Sequence, residues 1–276
     1  MKKNKRKIIF FVIVLFTIFL LFQYKESQIL GKVYNAIWKK NTQEAIEHIP
    51  SINNINKKIY GMPFESRGFS TLLTDACHVR NFSIVEALLK NNANPNFYCK
   101  EWSHPVAEAL TSFTDDDYSN VMNILNILFE YGADISNIKG IYSPLGTLAR
   151  SLIFIETDDG QKVAIDVITY LLERNASYYG SDLIYFSAMH NHVEILKYLF
   201  ENINYDINND KFSKQALIIA SKKSSYEAVE YLLGLDCFDL DEVDQYGQTA
   251  LSIAQKNKDT RMIELLSKAV RADGPV

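Results

Sequence analysis

One short pattern limits what this chain can fold into. Near the C-terminus, Asp244-Gln245-Tyr246-Gly247-Gln248-Thr249 leads into an apolar stretch holding Leu251 and Ala254. After a polar break at residues 256–259 comes a second such stretch, holding Ile263 and Leu266. Gly247 suits a turn, and Thr249 suits a helix N-cap, because its hydroxyl can accept an N–H that the first helical turn leaves unpaired. Leu251 and Ala254 then share one face of a short helix, and Ile263 and Leu266 share one face of the next. Two helices this short cannot bury their apolar faces on each other alone. They need copies of themselves alongside, so the pattern predicts an array.

The chain supplies the copies. A weak first unit lies within residues 27–55, with Ala36, Ile37 and Trp38 ending an inner helix and Ala45, Ile46 and Ile49 striping an outer one. The second unit pairs residues 71–77 with residues 84–89 and closes on Asn92-Ala93-Asn94, where Asn92 can take the left-handed conformation that ends a helix. The third opens on His104-Pro105-Val106-Ala107 and the fourth on Ser143-Pro144-Leu145-Gly146. In both, proline falls in the first helical turn, where its missing N–H is harmless. Residues 182–200 hold a looser fifth unit and residues 215–233 a sixth. Ala76 and Ala109 are 33 residues apart, and Ala220 and Ala254 are 34 apart.

These motifs resemble the ankyrin repeat, whose mark is a Thr-Pro-Leu-His-x-Ala-like inner helix and a Leu-Leu-bearing outer helix at about 33 residues. The resemblance covers residues 31–270 and implies an all-α solenoid of about seven helix-turn-helix units that acts by binding other proteins. It further implies loops that project between units as fingers beside a concave binding face. Aromatic residues cluster there, and we expect Tyr98, Trp102, Tyr142, Tyr178, Tyr179, Phe212 and Tyr246 to meet a partner, since exposed Tyr and Trp are typical interface anchors. The third and fourth units are longer than the period. Their extra residues, 111–118 and 153–162, are expected side by side on one edge, where Asp115, Asp116, Asp117, Glu156, Asp158 and Asp159 would steer a basic partner.

The N-terminus departs from this pattern. Residues 1–7 form a basic head with Lys2, Lys3, Lys5, Arg6 and Lys7, and residues 8–22 are apolar apart from Thr17. No face of such a helix is polar, so it cannot lie on a soluble surface. Residues 8–24 read as a transmembrane signal-anchor, 25–30 as a linker, 31–270 as the repeat domain and 271–276 as a disordered tail. No small-residue cleavage site follows the apolar run, so the segment is expected to be retained rather than removed. The basic head predicts a cytoplasmic N-terminus and a periplasmic or otherwise extracytoplasmic solenoid. A bacterial envelope is the expected setting.

Charge and chemistry narrow the function further. The net charge is −4, but five of the 29 basic residues precede residue 8 and the first acidic one is Glu26. The remainder therefore sets 24 basic residues against 33 acidic ones. An acidic array is not a nucleic-acid binder, because phosphate contacts need clustered Lys and Arg. The five histidines and three cysteines match no metal-ligand or nucleophile spacing, so no metal, cofactor or catalytic residue is expected and the chain is read as a non-enzyme. His190 and His192, two apart, would point away from each other on a helix. The expected function is a monomeric, membrane-held protein-binding module, in its sharpest form an inhibitor or immunity protein masking its partner. A cryptic enzyme site in the insertions and a structural envelope spacer are the rivals.

Overall fold

The computed structural model describes residues 2–60, 69–97, 104–178, 182–203, 214–235 and 237–272. Its helices alternate between two layers. The inner layer holds the end of α1 (Lys2–Trp38), then α3 (Leu72–His78), α5 (Pro105–Ala109), α7 (Pro144–Ser151), α9 (Leu183–Met189), α11 (Ala216–Lys222) and α13 (Ala250–Asn257). The outer layer holds α2 (Thr42–His48), α4 (Phe82–Lys90), α6 (Tyr118–Glu130), α8 (Asp158–Leu172), α10 (Val193–Asn202), α12 (Tyr226–Leu233) and α14 (Thr260–Ala272). These form seven inner–outer pairs, the number that the repeats predict. A two-residue antiparallel ribbon, β1 (Ile59–Tyr60) with β2 (Phe69–Ser70), bridges the first and second units.

Each pair is built by the signals in its sequence. Thr71, Ser143 and Thr249 accept the N–H groups of Thr74, Gly146 and Ser252 at 3.2, 3.0 and 3.2 Å, so α3, α7 and α13 start on a side-chain cap. The turns from inner to outer helix use left-handed residues at Lys40, Arg80, Ser112, Asn191, Ser224 and Lys258. The outer helices close in the same way on Asn92, Gly132 and Asn175. Between the layers, one apolar core runs the length of the array through Ala36, Ala76, Ala109, Ala149, Ala188, Ala220 and Ala254, none more than 1% exposed. Alanine at these points lets neighbouring inner helices approach closely. Ala254→Leu should therefore overpack the contact between α11 and α13 and cost about 1–3 kcal/mol. A urea titration of the variant should show a lower midpoint, and an unchanged midpoint would mean that the register assigned to the seventh unit is wrong.

The structure corrects the sequence reading at three places. First, the linker expected at residues 25–30 is helix. Nothing between Lys25 and Leu30 breaks a helix, and Glu26, Leu30, Val33 and Ile37 follow at spacings of four, three and four, one buried stripe against the first unit. The Glu26 carboxylate is 6% exposed and accepts the N–H of Asn54 at 3.2 Å. The first inner helix is thus the continuation of the apolar N-terminal helix. Second, the extra residues of the fourth unit do not all lie between the inner and the outer helix, because 158–162 belong to the outer helix itself. Thr157 caps α8 by accepting the N–H of Gly160 at 2.9 Å, and Asp158 and Asp159 occupy its first turn, where the helix dipole favours carboxylates. The insertion lengthens the outer helix to 15 residues. Third, His190 and His192 lie in the turn before α10, not on a helix, and their rings are 5.9 Å apart.

A candidate binding groove on the inner-helix face

Successive inner helices leave one face uncovered by the outer layer. Toward the C-terminal end, that face and the following finger enclose a groove of ≈ 300 Å³. Helix α11 forms its floor through Gln215, Ile218, Ile219 and Lys222, Tyr185 of α9 forms one wall, and Asp244, Gln245 and Tyr246 of the finger before α13 form the other. The finger is fixed by its own hydrogen bonds. The Asp244 carboxylate accepts the N–H groups of Tyr246 at 2.8 Å and Gln248 at 3.0 Å, and Gly247 takes a φ of 71°. That turn leaves Tyr246 72% exposed beside the groove. Tyr185 packs edge-on against Phe186 at 5.5 Å, and burial raises its phenol pKa. The groove therefore offers two tyrosines on its walls and an exposed lysine, Lys222, at its rim, over a floor where Ile218 and Ile219 are 5% and 9% exposed. Such a surface suits an extended peptide or loop that inserts one apolar side chain.

Earlier units carry a polar row on the same face. Trp38 lies 5.5 Å from the His78 ring, and His78 Nδ1 is 2.8 Å from Glu108 Oε2. The Arg150 guanidinium sits 5.7 Å from the centroid of the Tyr142 ring, donates to the Ile141 carbonyl and donates to Thr147 Oγ1 at 3.2 Å. Burial lowers the Arg150 pKa, while Tyr142, Asp182 and Glu108 pull it back up. Of this row the sequence reading named Tyr142 as a contact, and it did not single out His78, Glu108, Arg150, Tyr185, Ile218 or Ile219 as binding residues. His78, Arg150 and Lys222 each fall at or next to the end of an inner helix, a place that recurs from unit to unit.

The aromatic residues expected at fingers divide into three groups. Tyr142 and Tyr246 are exposed, at 47% and 72%. Tyr178 is half-buried and packs against the core. Tyr98, Trp102, Tyr179 and Phe212 lie outside the described residues. The acidic set is brought together where the insertions meet, with Thr157 Oγ1 3.4 Å from Asp115 Oδ2. Several of its members hold internal partners. Asp117 lies 3.5 Å from the Arg80 guanidinium and accepts from Thr114 at 2.9 Å. Asp158 accepts from Gln161 at 3.1 Å, and Asp159 pairs with Lys162 at 2.8 Å, which lowers its pKa. Asp116 and Glu156 are exposed.

The buried histidines bond to backbone atoms. His192 is the residue before α10, and its Nε2 lies 2.9 Å from the Leu152 carbonyl oxygen. Burial lowers its pKa, while that hydrogen bond pulls it up. His104 stands where other units carry Thr or Ser, and its Nδ1 accepts the N–H of Val106 at 3.2 Å. Cys77 is buried on α3, and burial raises its thiol pKa, which leaves it unreactive. Cys237 is exposed on the sixth finger, and Cys99 lies outside the described residues.

Comparison with known proteins agrees with this geometry. The family model described as ankyrin repeats (3 copies) matches residues 184–274. Among solved structures, the ankyrin repeat domain of human ASB11 superposes with a TM-score of 0.61 at 18% identity, over 88% of this chain and 98% of that one. No curated protein sequence matches the chain. Residues 184–274 thus carry ankyrin repeats, and the chain has the fold of an ankyrin-repeat solenoid across most of its length.

Proposed function

We propose that this chain is a membrane-held binding protein that uses the inner-helix groove to hold a partner protein outside the cytoplasm. Ankyrin-repeat solenoids are protein-interaction modules, and that much of the reading follows from the fold. The observation that carries the membrane part is the N-terminal half of α1. From Phe11 to Phe22 its large apolar side chains are 37–63% exposed, with no partner element over them. The helix is long and apolar enough to cross a bilayer between Phe11 and Trp38, but Val33, Ala36 and Ile37 are already committed to the first unit. Residues 8–22 extend about 22 Å as a helix, against a hydrocarbon core of roughly 30 Å. Tyr24 and Lys25 then fall at the interface, where an aromatic ring and a snorkelling lysine cover part of the difference.

The basic head supports a cytoplasmic N-terminus and an extracytoplasmic solenoid. The acidic balance of the repeats supports a partner with a basic surface, and the exposed Asp116 and Glu156 would steer its approach. Affinity would come from the groove and its aromatic neighbours, because a buried aromatic anchor can contribute about 2 kcal/mol or more. A solenoid of this charge tethered at a membrane suits an inhibitor or immunity protein that masks a partner enzyme.

The test uses the full chain in native membranes. Carbonate extraction should leave it in the membrane fraction, and N-terminal sequencing should find the apolar segment retained. Affinity capture should then recover one stoichiometric partner, and Tyr246→Ala should speed its dissociation with the fold intact. A mature N-terminus near Ser27 or Gly31 would remove the anchor reading. Recovery of no partner would leave the spacer reading.

A further inference from the structure

The unbroken course of α1 fixes how the solenoid meets the bilayer. We infer that the finger side of the first four units, centred on Lys57, Lys139, Ile141 and Tyr142, rests in the headgroup layer of an anionic membrane. This inference depends on the proposed anchoring by α1. The argument begins with direction. The first inner helix is the continuation of the apolar segment, so it runs away from the bilayer. Inner helices of successive units repeat the same direction, and the described residues of the fingers that lead into them therefore lie on the membrane side. The left-handed turns at Lys40, Arg80 and Ser112 lie on the far side.

Distance agrees with direction. Asn54 donates its N–H to Glu26, four residues beyond Phe22, which places the loop around residues 53–58 about 6 Å along the helix from the end of the apolar run. Asparagine bridges carry that level along the array. Asn56 bonds to the Asn92 carbonyl and the Asn94 N–H at 3.2 and 2.7 Å, and Asn96 bonds to the Gly132 carbonyl and the Asp134 N–H at 2.7 and 2.6 Å. The headgroup layer is roughly 5–8 Å thick on each side, so the fingers attached to this row fall within it.

The side chains suit that layer. Lys57 is half-buried in a turn closed by its N–H to the Asn54 carbonyl, and Lys58 lies over the Phe97 ring at 5.8 Å. The finger before α7 exposes Lys139, Ile141 (42%) and Tyr142 (47%). Lysine, an aliphatic residue and tyrosine together are the composition of an interfacial contact. At the anchored end Lys25, Lys57 and Lys58 lie on this side, while Lys39 and Lys40 lie in the far-side turn, and residues 61–276 hold 18 basic against 30 acidic residues. The finger before α13, with Asp239, Asp241, Glu242 and Asp244, would be repelled by anionic lipid, which limits the contact to the anchored end and leaves the Tyr246 groove open.

The test places the full chain in vesicles of phosphatidylethanolamine and phosphatidylglycerol that carry a headgroup-level quencher. Tyr142→Trp, measured as the difference from the parent protein, should give blue-shifted fluorescence that the quencher suppresses. Lys256→Trp, on the far side, should give fluorescence that it does not suppress. Adding Lys57→Glu and Lys139→Glu to Tyr142→Trp should relieve the quenching. If the protein floats with the vesicles and resists carbonate but Tyr142→Trp is as accessible as Lys256→Trp, the headgroup contact is wrong and the anchor stands. That outcome would return Ile141 and Tyr142 to the surface available to a protein partner. If the protein does not float, the anchor reading fails and this inference fails with it.

Discussion

Gly146→Ala should destabilise the array by about 3 kcal/mol, although alanine in a helix interior ordinarily adds roughly 1 kcal/mol over glycine. A Cβ at residue 146 would stand 2.4 Å from the Gly140 carbonyl oxygen and 2.8 Å from the Ile141 Cα and carbonyl carbon. All three are backbone atoms of the finger that folds down onto α7, so no side chain can swing aside. The finger cannot easily retreat either. The Ser143 N–H donates to the Gly140 carbonyl at 2.9 Å, and Arg150 clamps the Ile141 carbonyl. For a chain of this size the loss corresponds to a fall in melting temperature on the order of 10 °C. Gly31→Ala is the control. It lies in the helix α1 with nothing within 4 Å of the added carbon, and it should leave stability equal or slightly higher. Equal behaviour of the two variants would show that the finger does not press on α7. Because residues 141 and 142 belong to that finger, Gly146→Ala should also weaken the quenching of a tryptophan at residue 142.

The second large effect is a loss of stability in mild acid centred on His104. Its ring is 1% exposed, and burial lowers its pKa from 6.5 to about 4, with the Asp134 carboxylate pulling weakly the other way. The neutral form is also required by geometry, since Nδ1 must keep its lone pair to accept the Val106 N–H while Nε2 faces Asn96 Oδ1 at 3.4 Å. Between pH 6.5 and 4 the unfolded chain binds a proton at this residue and the folded chain does not. Stability is therefore complete above pH 6.5 and falls as the pH drops toward 4, by about 3 kcal/mol in all. The lowered pKa values of His190 and His192 add in the same direction. Urea titrations across this range should show a steep decline in the parent protein. The decline should be shallower in His104→Thr, which restores the cap residue of the second and seventh units. Parallel pH profiles would mean that His104 titrates normally.

These two sites mark where the sequence was readable and where it was not. Ser143, Pro144, Thr249, Gly247 and Asn92 announce helix starts and stops because caps and turns depend on a few adjacent residues. The 33- and 34-residue spacing of the buried alanines follows from one unit needing another beside it. The apolar run at residues 8–22 was legible for the same reason, since composition alone excludes a water-facing helix. Local pattern therefore determined the solenoid and its seven units.

Contacts between residues distant in sequence decided the rest. That residues 25–30 of α1 pack as part of the first unit shows in contacts such as that of Glu26 with Asn54, 28 positions away. That Gly146 must be glycine depends on how a finger descends onto α7, which no spacing reports. Asp117, read as a steering charge, is drawn to Arg80 of the preceding unit, and the groove beside Tyr246 arises only because α9, α11 and the sixth finger converge on one face. A repeat sequence fixes each unit through neighbours along the chain. The surfaces on which a partner or a membrane can rest are made between units, by packing that joins residues some 30 to 40 positions apart.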